Sequence, residues 1–287
     1  MRHVLLFGAT GQVGAPALTR LRANGWRVTA LSRAPHADAP GLGWLQGEFD
    51  RMPPLPAEVD AILSCGPLDA FARWYDGARV VAPRVVAFGS TSVVVKQHSC
   101  DAAERDVAQR LCRAEDSLMS AARARGAAAT VLRPTLVYGS ARDATLSRIA
   151  MLAHRLRWFP LPRRATGLRQ PVHVDDLADA AVDCLAAPLA HDLTFDLPGG
   201  ETLPYRDMVR RVLGALEPPA RLLELPLPVF AWLLRLARSR GVAAGYGDAM
   251  VERMRRDLVF DAAPAREAFG YAPRAFQPTA RMFPPRR

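Results

Sequence analysis

The chain has 287 residues, half of them apolar, with 38 Lys and Arg against 28 Asp and Glu for a formal charge of +10; this allows a substantial core in one two-lobed subunit or two closely joined domains. Lys96 is the only lysine, so arginine carries the charge. In the absence of an interleaved aromatic and basic run, a helix-turn-helix or a zinc pattern, that charge argues against nucleic acid and for a phosphate-bearing small-molecule partner.

The N-terminal MRHVLLFGATG has a short apolar run leading into a glycine-rich turn, which predicts a buried first strand rather than a signal peptide. Apolar runs and helical patterns then alternate: HVLLFG (3–8), PALTRLRANG (16–25), WRVTALS (26–32), VDAILSCG (59–66), VVAFGS (85–90), an Ala/Arg-rich helix over about 102–125, and ATVLRP (129–134). Strands alternating with helices predict an α/β fold, a doubly wound parallel sheet covered on both faces. After LVYGS (136–140) comes an arginine-rich segment with prolines (142–171). VHVDDLADAAVDCLAAP (172–188) begins extended and turns helical at Asp175 and Asp176, which suit a helix N-terminus. TFDLPGG (194–200) reads as a strand ending in a turn and YRDMVRRVLGAL (205–216) as a helix. The expected division is a dinucleotide-binding domain of residues 1–140 plus 171–198 and a smaller C-terminal substrate lobe of 141–170 plus 199–287.

The longest apolar stretch, LPLPVFAWLL (225–234), carries two prolines and falls far short of the ~20 residues of a spanning helix, so no transmembrane segment is expected. The simplest role of LPLPVFAWLLRLARSRG (225–241) is packing the smaller lobe or a subunit interface; covering a lipid-like substrate or lying on an anionic membrane are the alternatives. Cys65, Cys100, Cys112 and Cys184 form no C-x-x-C pair. That argues against a disulfide framework or a zinc site and predicts a reducing, cytoplasmic setting with no metal.

Gly8, Gly11 and Gly14 stand in G-A-T-G-Q-V-G between the first strand and the first helix. The first glycine permits the tight turn, the second lets backbone amides approach a pyrophosphate, and the third lets helix pack closely on strand. Thr10, Gln12 and Val13 complete this candidate cofactor loop, with Cys65 and Gly66 at the end of a neighbouring strand. Where the second strand ends, Leu31-Ser32-Arg33 replaces the acidic residue that would bind an adenosine ribose. An arginine there pairs with a 2′-phosphate, so NADP is expected over NAD.

GATGQVG, FGSTS (88–92), LRPTLVYG (132–139), PVHVDDLADA (171–180) and FGYAPRAF (269–276), in that order, resemble the extended or atypical short-chain dehydrogenase/reductase family, which contains nucleotide-sugar epimerases and dehydratases. The resemblance implies a Rossmann-type, NAD(P)-binding fold. It places Gly89, Ser90 and Pro134 beside the nicotinamide, and it matches Thr91 to the hydroxyl residue that hydrogen-bonds the reacting oxygen. The family's tyrosine and lysine, four residues apart, fall on Val107 and Leu111, and its frequent glutamate on Glu115. The five tyrosines are Tyr75, Tyr138, Tyr205, Tyr246 and Tyr271, so none lies between Thr91 and Glu115 to serve as the general acid/base.

Thr91 is therefore the first catalytic candidate, with Lys96, His98 or Asp101 as proton carriers; His98 titrates near neutrality. Tyr75, four residues before Arg79, imitates the dyad spacing, although packing beside Trp74 explains it more simply. Among the arginines of the second lobe, Arg169 is the expected substrate ligand, because it precedes PVHVDD close to the sheet's carboxyl edge. His173, Asp175 and Asp176 read as cleft architecture and helix capping rather than as metal ligands. The expected function is NADP-dependent oxidoreductase or epimerase-like chemistry on a small metabolite, with a homodimer as an allowed assembly. The alternative is a non-catalytic NAD(P)-binding redox sensor or accessory subunit.

Overall fold

The computed structural model describes residues 1–143, 145–239 and 248–284. Tyr246, the last two residues of the 225–241 stretch and residues 285–287 lie outside them. In chain order the elements are β1 His3–Phe7, α1 Gly14–Ala23, β2 Arg27–Ser32, β3 Leu42–Gln46, β4 Ala61–Ser64, α2 Leu68–Gly77, β5 Arg84–Phe88, α3 Ser92–Val95, α4 Ala102–Ala124 and β6 Ala128–Pro134. These are followed by β7 Val137–Tyr138, α5 Leu146–Leu156, β8 Trp158–Pro162, β9 Leu168–Arg169, β10 Val172–His173, α6 Val174–Leu185, β11 Leu193–Leu197 and β12 Leu203–Pro204. The chain continues through α7 Tyr205–Gly214, β13 Arg221–Leu225, α8 Leu227–Ser239, α9 Asp248–Arg253 and α10 Ala263–Phe269.

Seven strands form one parallel sheet in the order β11-β6-β5-β4-β1-β2-β3. The chain winds outward from β1 through β2 to β3, then crosses to β4 on the other side of β1. The topological switch therefore lies between β1 and β4, and a ligand crevice opens outside the carboxyl ends of strands at such a point. The strands are apolar along their length because helices cover both faces: β1, β4 and β5 are almost wholly buried. Asp101 starts α4 by accepting a hydrogen bond from the Ala103 N–H at 2.8 Å, which gives this polar loop residue a capping role.

The described residues divide into two compact units. The first comprises Met1–Thr135, Val174–Pro198 and Asp261–Pro273; the second comprises Leu136–His173, Gly199–Phe260 and Arg274–Arg287. The division differs from the expected one: residues 136–140 and 171–173 join the second unit, and Asp261–Pro273 joins the first. The physical reason for the latter is apolar anchoring. Phe269 meets Phe195 edge-on at 5.2 Å, and buried Tyr271 donates to the Pro198 carbonyl at 2.8 Å.

The second unit pairs β7 with β10, β9 with β12, and β8 with β13 in three two-stranded ribbons. Its core contains Tyr138, Ile149, Phe159, Met208, Val212 and Phe276. Glu201 braces this unit by accepting from Arg211 Nη1 and Nη2 at 2.7 and 2.6 Å, and from the Phe276 N–H at 3.2 Å. The Arg211 hydrogen bonds hold the Glu201 carboxyl below its ordinary range. A carboxyl depressed in the folded state stabilises above its unfolded pKa, and that stability is lost as pH falls through the folded value. Glu201→Gln is expected to be less stable at neutral pH and to lose stability less steeply below about pH 4.5. Denaturant unfolding of both proteins from about pH 3 to pH 7 checks this, and parallel pH curves would refute it.

Candidate functional site

At the switch point β1 ends in buried Phe7 and the chain turns at Gly8, whose φ is +71°. A Cβ on Gly8 would stand 2.8 Å from the Cys65 carbonyl carbon and 2.9 Å from the Gly66 nitrogen. The Gly11 N–H donates to Gly8 O at 2.8 Å and closes the turn. Gly14 opens α1, and a side chain there would overlap the Gly8 carbonyl group. Val13 occupies the N-cap position without a side-chain cap, and the first turn holds no acidic residue. The positive end of α1 therefore faces the loop with no carboxylate of its own to offset it, an arrangement suited to a phosphate. Thr10 is exposed and Gln12 half-buried on this loop.

At the end of β2 the Ser32 hydroxyl accepts from the Ala34 N–H at 3.2 Å and lies 3.1 Å from His36 Nε2. The His36 ring stacks on Trp44 at 4.3 Å. Arg33 is exposed and makes no salt bridge among the described residues, while its carbonyl accepts from Gln46 Nε2 at 3.2 Å. His36 joins Ser32 and Arg33 at this strand end, a neighbour not expected from the sequence. The signal was the run S-R-A-P-H, which returns a histidine to the serine four residues earlier.

Cys65 and Gly66 follow β4. Burial pushes the Cys65 thiol up to about 12, so it stays protonated and unreactive at neutral pH. The Ser64 hydroxyl just before them is fully buried with no hydrogen-bond partner among the described residues. Beyond β5, Gly89 bonds to Leu132 O, and the Ser90 hydroxyl accepts from the Ser92 N–H at 3.1 Å. Buried Thr91 donates twice to the Pro134 carbonyl, from its N–H at 3.2 Å and from Oγ1 at 3.1 Å. The hydroxyl expected to donate to a substrate thus ties the ends of β5 and β6 together and keeps only its lone pairs for another partner. Lys96 is half-buried at the end of α3 and His98 is exposed in the loop after it.

Behind Gly89 lies a charged cluster that the sequence reading did not assemble. Arg133 on β6 donates through Nε to Glu115 Oε1 at 2.8 Å and through Nη2 to Glu115 Oε2. Asp196 on β11 is in parallel register with Arg133, and its Oδ1 is buried without a hydrogen-bond partner among the described residues. Burial raises the Asp196 carboxyl and the Arg133 charge opposes that rise. Leu111, one turn before Glu115, packs against the core of the first unit. Tyr75 sits among Phe71 and Trp74 with the Arg125 guanidinium 4.6 Å from its ring centroid, so it serves packing.

In the second unit Arg169, the expected substrate ligand, lies on β9 and is buried. Its Nη1 donates to the Leu168 and Arg256 carbonyls at 2.7 and 2.9 Å, and its Nη2 donates to Arg253 O. The guanidinium lies 5.2 Å from the Tyr205 ring centroid. Burial lowers its pKa to about 10. Three of its five N–H donors go to main-chain carbonyls and hold β9 to the 253–256 turn. His173 is buried with its ring edge-on to Tyr138 at 5.1 Å. Among the described residues, no three His, Cys, Asp or Glu side chains gather in a way that could hold a metal ion.

No family model matches the chain. UDP-glucose 4-epimerase from Vibrio cholerae is 27% identical over 187 residues, which are 63% of this chain. The match spans 55% of that relative's length. Among solved structures, UDP-glucuronic acid 4-epimerase from Bacillus cereus in complex with NAD is 10% identical, with a TM-score of 0.66 covering 94% of this chain and 93% of that one. The terminal R domain from the myxalamid PKS-NRPS biosynthetic pathway is 20% identical, with a TM-score of 0.73 covering 98% of this chain and 88% of that one. At these identities the structural likeness establishes the fold, a Rossmann-like α/β sheet.

Proposed function

From a chain that resembles the NAD-dependent epimerase/dehydratase group of extended short-chain dehydrogenase/reductases, we propose a protein that binds a nicotinamide dinucleotide along the carboxyl edge of its first unit. Its chemistry is oxidoreductase or epimerase-like, on a small phosphate-bearing metabolite of the nucleotide-sugar class. The observation that carries this reading is the loop from Gly8 to Gly14: a cradle that a Cβ would fill, lying at the switch point against an α1 terminus with no side-chain cap. These residues fit a dinucleotide. The loop amides and Gly11 would hold the pyrophosphate, Ser32 and Arg33 the adenosine ribose, and Gly66, Gly89, Ser90 and Pro134 the far end.

Bound there, a nicotinamide supplies a hydride acceptor and donor. The protein's own groups have to orient the substrate and move a proton. Thr91 Oγ1 spends its hydrogen on Pro134 O, so in this geometry Thr91 accepts. Ser90, whose oxygen accepts from Ser92, is the neighbouring hydroxyl with a hydrogen left for a reacting oxygen. Lys96 and His98 follow as proton carriers within the same segment. The second unit is the proposed substrate lobe, with Arg169 and its exposed arginines as candidate phosphate ligands. A cytoplasmic enzyme, with a homodimer as an allowed assembly, completes the reading.

NADP is proposed over NAD because exposed Arg33, with no salt bridge among the described residues, stands beside Ser32 and His36 where a 2′-phosphate would lie. The NAD in the Bacillus cereus enzyme favours the opposite preference, so the test separates them. Calorimetric titration with NAD⁺, NADH, NADP⁺ and NADPH is expected to show tighter NADP(H) binding. Arg33→Ala should weaken NADP(H) about tenfold or more, as expected when one phosphate loses a charge-assisted pair, and leave NAD(H) unchanged. Equal losses for both dinucleotides would refute the 2′-phosphate role. Absence of all binding would refute the cofactor site itself.

A further inference from the structure

We propose that the second unit has a lipid-binding face, built on α8, that seats it on an anionic membrane surface. This goes beyond the dinucleotide reading and does not depend on it. Phe230 is buried at 7% exposure and turns one side of α8 inward, and the helix packs beside β8. The opposite side carries Val229, Trp232 and Leu236 at 45%, 62% and 37% exposure. Their spacing of three and four residues sets them in one stripe along the helix. Leu223 on β13 and Leu227 at the start of α8 are also exposed, so five large apolar side chains fall between positions 223 and 236.

Charge selects the occupant. From Leu225 to Gly247 the sequence has no Asp or Glu. Arg235 is exposed one helical turn from Trp232. Exposed Arg163 and Arg164 sit at the base of α8, where the Arg163 N–H donates to Leu225 O at 2.8 Å. Exposed Arg157 and Arg221 lie at the opposite end of the β8–β13 ribbon, joined by the Arg221 N–H to Arg157 O bond at 3.1 Å. Glu224, the acidic residue of β13, faces Arg210 at 3.7 Å.

An apolar stripe with an exposed tryptophan, flanked by arginines, matches the boundary between anionic headgroups and acyl chains. Among the described residues no helix is long and apolar enough to cross a membrane. At 13 residues α8 is ~20 Å long against a ~30 Å hydrocarbon core, so it lies in the interface plane.

The test is density-gradient flotation of the full chain with vesicles of phosphatidylcholine alone or with about 30% phosphatidylglycerol, a content chosen to give a strongly anionic surface. The chain is expected to float with the anionic vesicles only and to be released by high salt. Trp232→Ala and Arg235→Glu are each expected to weaken flotation about tenfold, while thermal melts and dinucleotide titration stay unchanged, since both side chains are exposed. No flotation with anionic vesicles would overturn the proposal, as would equal flotation with neutral ones or flotation indifferent to both variants. A concentration-dependent dimer that Trp232→Ala dissolves, found without flotation, would also overturn it and assign the face to a second copy of the chain.

Discussion

Gly14→Ala is expected to abolish measurable dinucleotide binding and to lower stability by about 1–3 kcal/mol, the usual cost of forcing extra volume into a packed site. A Cβ at position 14 would overlap the Gly8 carbonyl oxygen, come within 2.7 Å of its carbon and reach 3.0 Å from Ala9 Cα. All three are backbone atoms. Relief therefore requires α1 to move off β1, which takes the helix terminus away from the loop that would hold a pyrophosphate. Gly43→Ala in β3 is the matched control, because a Cβ there meets nothing within 4 Å. Titration calorimetry and thermal melts of the two variants check the contrast. Wild-type affinity in Gly14→Ala would mean that close approach of α1 to β1 is unnecessary for the ligand.

Glu115→Ala is expected to destabilise by about 3 kcal/mol, the lower end for stranding one member of a buried ion pair, because 22% of the Arg133 side chain meets solvent. Glu115 is 5% exposed and accepts both Arg133 hydrogen bonds. Arginine is not deprotonated in proteins, so the guanidinium stays charged when its partner is removed. Asp196 lies across the strand register with a buried oxygen that has no hydrogen-bond partner among the described residues, and it is the carboxylate left acting on that charge. The double variant Glu115→Leu with Arg133→Met is expected to recover part of the loss, because two apolar groups leave no uncompensated charge on that pair. Denaturant unfolding of the singles and the double gives the coupling. A single-variant cost below about 1 kcal/mol, typical of surface pairs, would show that the pair contributes little.

Much of the first unit was legible because its signals are local. Alternating apolar runs and helical patterns place β1, β2, β4, β5 and β6, and β11 is read from TFDLPGG. Asp175 and Asp176 mark the first turn of α6, where carboxylates oppose the helix dipole. The missed elements violate local rules. β3 is a sheet edge with Gly43 inside it and only Leu42 fully buried, so its apolar pattern is thin. β8 carries Pro160 and Pro162, and proline argues against a strand unless the strand pairs at an edge, as β8 does with β13.

The sequence by itself determined the order of β1, α1, β2, β4, β5, α4, β6, α6 and β11 and the glycine loop between β1 and α1. These depend on φ preference, on side-chain size and on a periodicity spanning ten residues or fewer. Only the tertiary structure decided what the polar side chains do. It turned Thr91 toward Pro134, buried Arg169 among main-chain carbonyls, brought Arg133, Glu115 and Asp196 together, and carried Asp261–Pro273 back to the first unit. A polar group's role is set by the partners that desolvation forces on it, and the partners that decided it here are far apart along the chain: 18 residues for Glu115 and Arg133, 43 for Thr91 and Pro134, and 87 for Arg169 and Arg256.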